Sequence, residues 1–164
     1  LKAMHREYTK EEFLELVSEL KIAVPNITLA TDFVVGFPSE TDDDYWQTLE
    51  LVRKTMPDMI NIWQYRLRDS STEPGQEDIV RRRASVLTDI FHNISKLQNE
   101  KWLGWEGEIL INQKAREEQQ WIGRNEYYKL VIVEGNFTLG TTVKVRIVKT
   151  DTSGLKGEVL EMEK

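Results

Sequence analysis

The sequence predicts an α/β segment followed by a small all-β domain, and three observations support this. Helix-like and strand-like segments alternate up to about residue 103, which is typical of a parallel sheet covered by helices. From residue 104 onward, short apolar runs are separated by glycines, which is typical of a small antiparallel barrel or sandwich. The charge changes near the same place, because residues 1–101 carry a net charge of −5 and residues 102–164 one of −1.

Composition excludes several kinds of site. The chain has no cysteine, so it can form neither disulfides nor thiolate metal sites, and its two histidines, His5 and His92, are too far apart in the sequence to predict a metal cluster. It has no apolar run of membrane-spanning length and no stretch that resembles a signal peptide, so we expect a cytoplasmic protein. The net charge of −6 gives no general attraction for nucleic acid, although the second part has room for a local basic face.

The first part is predicted to run helix, strand, helix, strand, helix. Thr9 and Glu12 fit a capping box, and apolar residues then repeat at helical spacing up to Pro25. A β-rich run over 27–37 precedes an acidic segment, 39–44, that suits a helix N-terminus. The later elements are a helix ended by Pro57, a strand over 59–67, a loop over 69–76 and a long helix from 77 to about 103. Two strands are too few to stand alone, so we expect further strands from elsewhere.

The second part is predicted to contain four short strands, over residues 108–112, 127–134, 142–148 and 157–162. The glycines that separate or begin them are Gly123, Gly135, Gly140, Gly154 and Gly157.

Polar residues on the two predicted strands of the first part mark a candidate site. Side chains alternate along a strand, and both faces of a parallel sheet are usually buried, so Asp32 needs a partner. Its strand runs into residues 36–38, at the end where α/β barrels bind ligands. On the next strand Asn61 and Tyr65 share one face, which predicts a polar lumen. The alternatives are that Asp32 and Asn61 merely satisfy neighbouring groups and that residues 36–38 form an ordinary turn.

Two motifs then identify a family. The sequences MHREYT at residues 4–9 and ITLATDFVVGFPSET at residues 27–41 resemble the radical-SAM tRNA methylthiotransferases. The resemblance implies that residues 1–103 are the C-terminal half of a parallel (β/α) barrel. The wording of the second motif is most similar to the archaeal and eukaryotic branch, which acts on N6-threonylcarbamoyladenosine in the tRNA anticodon loop.

A third motif set resembles a TRAM domain, a small antiparallel β-barrel that binds tRNA in this family. It comprises Ile122-Gly123-Arg124-x-x-Tyr127-Tyr128 and Leu139-Gly140-x-x-Val143, within residues 104–164. The resemblance implies that Gly123 forms a turn and that Arg124, Lys129 and Lys144 meet phosphates, while Tyr127 or Tyr128 stacks on a base. The alternative is an ordinary small barrel with aromatic core residues.

The implied activity is addition of a methylthio group to position 2 of N6-threonylcarbamoyladenosine. The family uses S-adenosylmethionine and two [4Fe–4S] clusters, whose cysteine ligands are absent from this chain. We therefore expect no catalytic or metal-binding residue here, no activity of the chain alone, and dependence on a missing N-terminal part of the same enzyme. The residues expected to line the S-adenosylmethionine and substrate pocket are Arg6, Asp32, Gly36, Phe37, Pro38, Glu40, Asn61 and Tyr65.

The chain departs from the family pattern in two places. Ser39 replaces a usual glycine, and residues 65–75 retain only scattered matches to the family's Pro-Arg-Pro-Gly-Thr-Pro loop, so that loop is altered. Two other functions stay open. One is a non-catalytic RNA-binding module, and the other is the related branch that modifies a ribosomal-protein aspartate.

Overall fold

The computed structural model describes residues 1–65 and 76–162, and the chain divides into two compact units, Leu1–Ile94 and Ser95–Lys164. The division lies earlier than the boundary expected at residue 103. The physical reason is that the last turns of the long helix form hydrogen bonds to the loop at residues 151–152, which belongs to the second unit. Ser95 Oγ donates to the Thr152 carbonyl over 2.9 Å, and Asn99 Nδ2 donates to the Asp151 carbonyl over 2.7 Å.

The first unit has the predicted order of elements. After a short 3-10 turn these are α1 (Lys10–Ala23), β1 (Ala30–Val35), α2 (Asp42–Thr55), β2 (Met59–Gln64) and α3 (Gln76–Glu100), of which the last turns belong to the second unit. The two strands pair in parallel, as predicted, with Ala30 opposite Met59. The altered loop expected around residues 66–76 lies almost entirely outside the described residues.

Both shorter helices begin at threonine capping boxes. Thr9 Oγ1 accepts the Glu12 N–H over 3.2 Å while Glu12 Oε2 accepts the Thr9 N–H over 2.7 Å, which confirms the box predicted there. Thr41 and Asp44 make the same reciprocal pair at the start of α2. These pairs satisfy backbone donors that would otherwise lack intrahelical partners.

One face of the β1–β2 sheet is covered and the other is open. The covered face carries Phe33, Val35 and Ile60, which pack against apolar residues of α2 and α3. The opposite face carries Asp32 and Asn61, and both are exposed. The expectation that both faces are buried is therefore wrong for the described residues, which supply helices on one side of the sheet only.

The second unit is a closed five-stranded barrel in the order β3-β4-β5-β7-β6. Its strands are β3 (Glu106–Lys114), β4 (Gln120–Arg124), β5 (Leu130–Glu134), β6 (Thr142–Thr150) and β7 (Leu155–Met162). The prediction of a small β-barrel is confirmed, with two corrections. The pairing of β5 with β7 is parallel, and β4 was not predicted.

Strand β4 is absent from the prediction because Gly123 is expected to form a turn. Instead, Gly123 lies within the strand, opposite Ile111, and is buried. A Cβ atom there would lie 2.8 Å from Ile109 Cδ1, so glycine is what allows β3 and β4 to pack closely.

The barrel interior is filled by alternating aliphatic side chains, as the period of a half-buried strand requires. The core aliphatic residues, each no more than 1% exposed, are Ile109, Ile111, Val131, Val133, Val143, Val145, Ile147 and Leu155. Within the described part of the chain, every helix is too short or too polar to cross a membrane.

Candidate binding cleft and nucleic-acid interface

A cleft of about 700 Å³ lies in the first unit, where the N-terminal segment, β1 and α2 meet. Arg6, Asp32, Phe37 and Glu40 line it, so it brings together half of the residues predicted for a small-molecule pocket. Small-molecule sites typically occupy roughly 300–1,000 Å³. The cleft therefore has room for a nucleoside-sized ligand.

Asp32 and Asn61 form one polar pair across the open face of the sheet. They are opposite each other in the strand register, and Asn61 Nδ2 donates to Asp32 Oδ1 over 2.6 Å. Because both side chains are exposed, the second carboxylate oxygen of Asp32 is positioned to accept a hydrogen bond from a ligand.

Glu40 orders the loop after β1. Its side chain is only 8% exposed, and Oε2 accepts the Gly36 N–H over 2.8 Å. The same oxygen accepts a hydrogen bond from Arg83 Nη1 over 2.5 Å, and Arg83 Nη2 donates to Asp42 Oδ1 over 2.6 Å. Burial opposes the charged form of Arg83, but the hydrogen bonds to Asp42 and Glu40 outweigh it and raise its pKa.

Arg83 is not among the site residues predicted from the sequence. A signal was present, because Arg83 shares the helical spacing of the buried residues Val80, Ala84 and Leu87. A cation on the apolar side of an amphipathic helix needs an anionic partner, which here comes from the β1–α2 loop.

Gly36 and Phe37 complete this loop. Gly36 has φ 79°, and a Cβ there would lie 2.2 Å from Val80 Cγ2, so the close approach is to α3. The Phe37 ring meets Tyr65 edge-on, with centroids 5.3 Å apart. Pro38, between them and Glu40, is exposed. The loop is held from two sides, by the ion pair and by the aromatic contact.

On the barrel, Arg124 and Tyr128 form a stacked pair. The guanidinium carbon lies 4.3 Å from the Tyr128 ring centroid, and Nη1 donates to the Tyr128 carbonyl over 3.0 Å. Tyr128 is 66% exposed and has φ 66°, in the left-handed region. An aromatic ring and a cation are thus presented together at the β4–β5 hairpin.

The other predicted RNA residues are placed differently. Tyr127 is half-buried with its ring centroid 5.5 Å from that of Trp102, and Lys129 is 5% exposed with Nζ donating to Asn99 Oδ1 over 2.9 Å. The expectation that Lys129 meets a phosphate is therefore corrected, because its ammonium group points into the unit. Lys144 is exposed on β6, opposite Glu108 of β3.

The donor set does not fit an iron–sulfur cluster. The chain has no cysteine, and the described residues contain no group of three histidine, cysteine or acidic side chains able to hold a metal ion. The cleft, with carboxylates beside aromatic rings, is instead suited to a polar organic ligand.

Comparison with known proteins finds similarity in both parts of the chain. Residues 101–160 match the TRAM domain family. The tRNA-2-methylthio-N(6)-dimethylallyladenosine synthase of Petrotoga mobilis is 37% identical over 98% of this chain, and that of Moorella thermoacetica is 38% identical over 98%. In both cases the chain spans 38% of the relative's length. The chain is thus similar along nearly its whole length to part of these synthases, and its residues 101–160 match the TRAM domain family.

Proposed function

We propose that this chain is part of a radical-SAM enzyme that adds a methylthio group to position 2 of an N6-modified adenosine in the tRNA anticodon loop. The observation that carries the proposal is similarity over 98% of the chain to enzymes named for that product. Residues 1–103 would then be the later strands and helices of the catalytic barrel. The open sheet face and the unpaired edges of β1 and β2, among the described residues, suit a place for further strands.

The N6 substituent of the adenosine is the finer part of the proposal. The motif at residues 27–41 favours N6-threonylcarbamoyladenosine, whereas the names of the relatives support N6-dimethylallyladenosine. Of the two, we propose the dimethylallyl form, since the similarity extends over far more residues than the motif. The test is to supply the full-length protein with tRNA carrying either modification and to measure the methylthio product by mass spectrometry. Product on the threonylcarbamoyl tRNA alone would reverse the assignment.

The cleft of the first unit is proposed as part of the pocket for S-adenosylmethionine and the substrate adenosine. When bound, S-adenosylmethionine supplies the methyl group and the radical chemistry of the reaction. The chain's own residues would bind and orient. Asp32 accepts a hydrogen bond, Phe37, whose ring contacts Tyr65, forms an apolar wall, and the Arg6 guanidinium meets a carboxylate. Glu40 acts through the loop that it holds.

Binding of S-adenosylmethionine to the full-length protein tests this assignment without requiring turnover. We expect Asp32→Asn to weaken binding in equilibrium dialysis by about tenfold to a hundredfold, because a charged acceptor contributes about 1.5–3 kcal/mol. Asp43→Asn, at an exposed position in the first turn of α2, is the matched control. Equal affinities of the two variants would remove Asp32 from the pocket.

Catalysis by this chain alone is not expected, because the cluster ligands must come from another part of the enzyme. Incubation of the chain with iron and sulfide should give no thiolate-to-iron absorbance band. A stoichiometric cluster would show that the chain has ligands that we have not recognised.

The barrel is proposed to bind tRNA through Arg124, Tyr128 and Lys144. The TRAM match and the exposure of an aromatic ring beside a cation support this. We expect the 164-residue chain to bind tRNA weakly in a filter-binding assay, and more weakly as salt rises. Failure to bind at low salt would contradict an RNA role for the barrel. Salt-sensitive tRNA binding would argue against the ribosomal-protein substrate.

A further inference from the structure

The β4–β5 hairpin holds its exposed tyrosine in a fixed position. Asn125 is 6% exposed, and its side-chain oxygen accepts the backbone N–H groups of Tyr127 over 3.1 Å and Lys129 over 2.9 Å. The Tyr128 N–H donates to the Asn125 carbonyl over 2.9 Å. These bonds fix the backbone on both sides of Tyr128, so little conformational freedom is left to lose when a ligand binds.

Arg124 occupies one side of the Tyr128 ring. Its guanidinium stacks on the ring, and its bond to the Tyr128 carbonyl keeps it there. Tyr128 is nevertheless 66% exposed, which leaves the other side of its ring accessible. A planar group that stacks on this side would extend a column made of guanidinium, phenol ring and ligand.

Two of the three basic residues predicted to meet phosphates already have partners within the second unit. Lys129 is turned inward towards Asn99, and Arg124 already has two contacts with Tyr128. Lys144 lies across the strand pair from Glu108, which offsets its charge. Counterion release, which dominates affinity where many cations meet phosphates, should therefore contribute little at Tyr128 itself, whatever it contributes to tRNA binding elsewhere on the barrel.

We propose that Tyr128 and Arg124 form a stacking site for a single unpaired base of RNA. This inference rests on the proposed RNA-binding role of the barrel and specifies the form of RNA that it takes. Bases inside a duplex are stacked on their neighbours, whereas bases in single-stranded loops can lie on an aromatic side chain. The cation behind the phenol ring adds to the column without contacting a phosphate.

The experiment measures binding of the 164-residue chain to a fluorescent single-stranded RNA 12-mer and to an RNA duplex of the same sequence. We expect the single strand to bind at least about tenfold more tightly than the duplex. Tyr128→Ala should weaken single-strand binding about tenfold, because it removes the aromatic face on which a base stacks. Tyr128→Phe, which retains the ring, should bind within about twofold of the wild type.

A charge-matched pair separates stacking from phosphate contact. Arg124→Gln should weaken single-strand binding with little change in the dependence of affinity on salt. Arg116→Gln removes the same charge from the exposed β3–β4 connection, at the far end of β4, and should have little effect. Circular dichroism and thermal unfolding of each variant confirm that the barrel is intact.

Each other outcome overturns the inference. Unchanged affinity of Tyr128→Ala, or equal binding of duplex and single strand, would reject the stacking site while leaving tRNA binding by the barrel intact. A salt slope reduced by about one in Arg124→Gln would make Arg124 a phosphate contact instead. Absence of binding to either oligonucleotide and to tRNA would reject both this inference and the proposed RNA-binding role.

Discussion

The two units of this chain differ in whether their strand edges are paired. The barrel closes on itself, so each of its strands has two neighbours and its aliphatic core is sealed. Among the described residues of the first unit, β1 and β2 pair only with each other. Their open face exposes Met59 by 40% and Trp63 by 60%. The barrel thus has the features of a self-contained fold, whereas the sheet has those of a part that further strands complete.

Protection from hydrogen exchange should show the largest difference. In the 164-residue chain we expect amides of β5 and β6 to exchange slower than those of β1 and β2 by about two orders of magnitude or more, because opening a two-stranded sheet requires far less than global unfolding. Exchange mass spectrometry with peptides from each unit measures this. Equal protection would contradict the comparison, and slower exchange of β1 at higher protein concentration would show pairing through its free edge.

Large-to-small substitutions in each core should act locally. Leu87→Ala in the first unit and Leu155→Ala in the barrel both remove a side chain that is 0% exposed. Each should destabilise its own unit by about 2–5 kcal/mol. In a urea titration followed by hydrogen exchange, Leu87→Ala should leave the urea concentration at the midpoint of barrel unfolding unchanged. A joint shift of both units would mean that they unfold as one cooperative system.

Breaking the more buried ion pair of the first unit should reduce stability more than breaking the exposed ion pair of the barrel. Arg83→Met leaves Glu40, with its side chain 8% exposed, without its cation, and should destabilise the first unit by about 1–3 kcal/mol. Arg146→Met removes a barrel pair with Glu106 whose side chains are 50% and 44% exposed, and should change stability by about 0–1 kcal/mol. Urea unfolding midpoints of the two variants, measured side by side, give the comparison. Equal losses would show that Arg83 does not secure the loop.

The smallest expected effect is a pH dependence confined to the barrel. Hydrogen bonds from the Ser153 side chain and from the Ser153 and Gly154 N–H groups lower the pKa of Asp151 in the β6–β7 turn, despite partial burial. A lowered folded-state pKa stabilises the barrel above the unfolded value of about 3.9, and this contribution is lost as pH falls towards the folded value. Asp151→Asn should therefore flatten barrel stability below about pH 4 in thermal unfolding. An unchanged acid profile would refute this role of Asp151.

Much of the local structure was predictable because it depends on neighbouring residues. The capping box at Thr9, the parallel pairing of two strands and the small glycine-punctuated barrel follow from short patterns. Strand β4 was not predictable in that way. Gly123 is typical of a turn in isolation, and it is the pairing of its backbone with Ile111 of β3 and Val131 of β5 that makes it a strand residue.

The candidate site likewise has features that local sequence predicts and features that it does not. Local patterns were sufficient to predict which residues could bear polar chemistry, including Asp32, Asn61 and Glu40, because strand alternation and motif spacing are local properties. Only the folded chain shows that Glu40 faces Arg83, that Lys129 is buried and that Tyr128, rather than Tyr127, is the exposed tyrosine of the β4–β5 hairpin. These outcomes depend on which side chain from a distant element occupies the space beside each residue. Spacing along the chain can indicate that a residue is buried, as it does for Arg83, but it does not identify the partner.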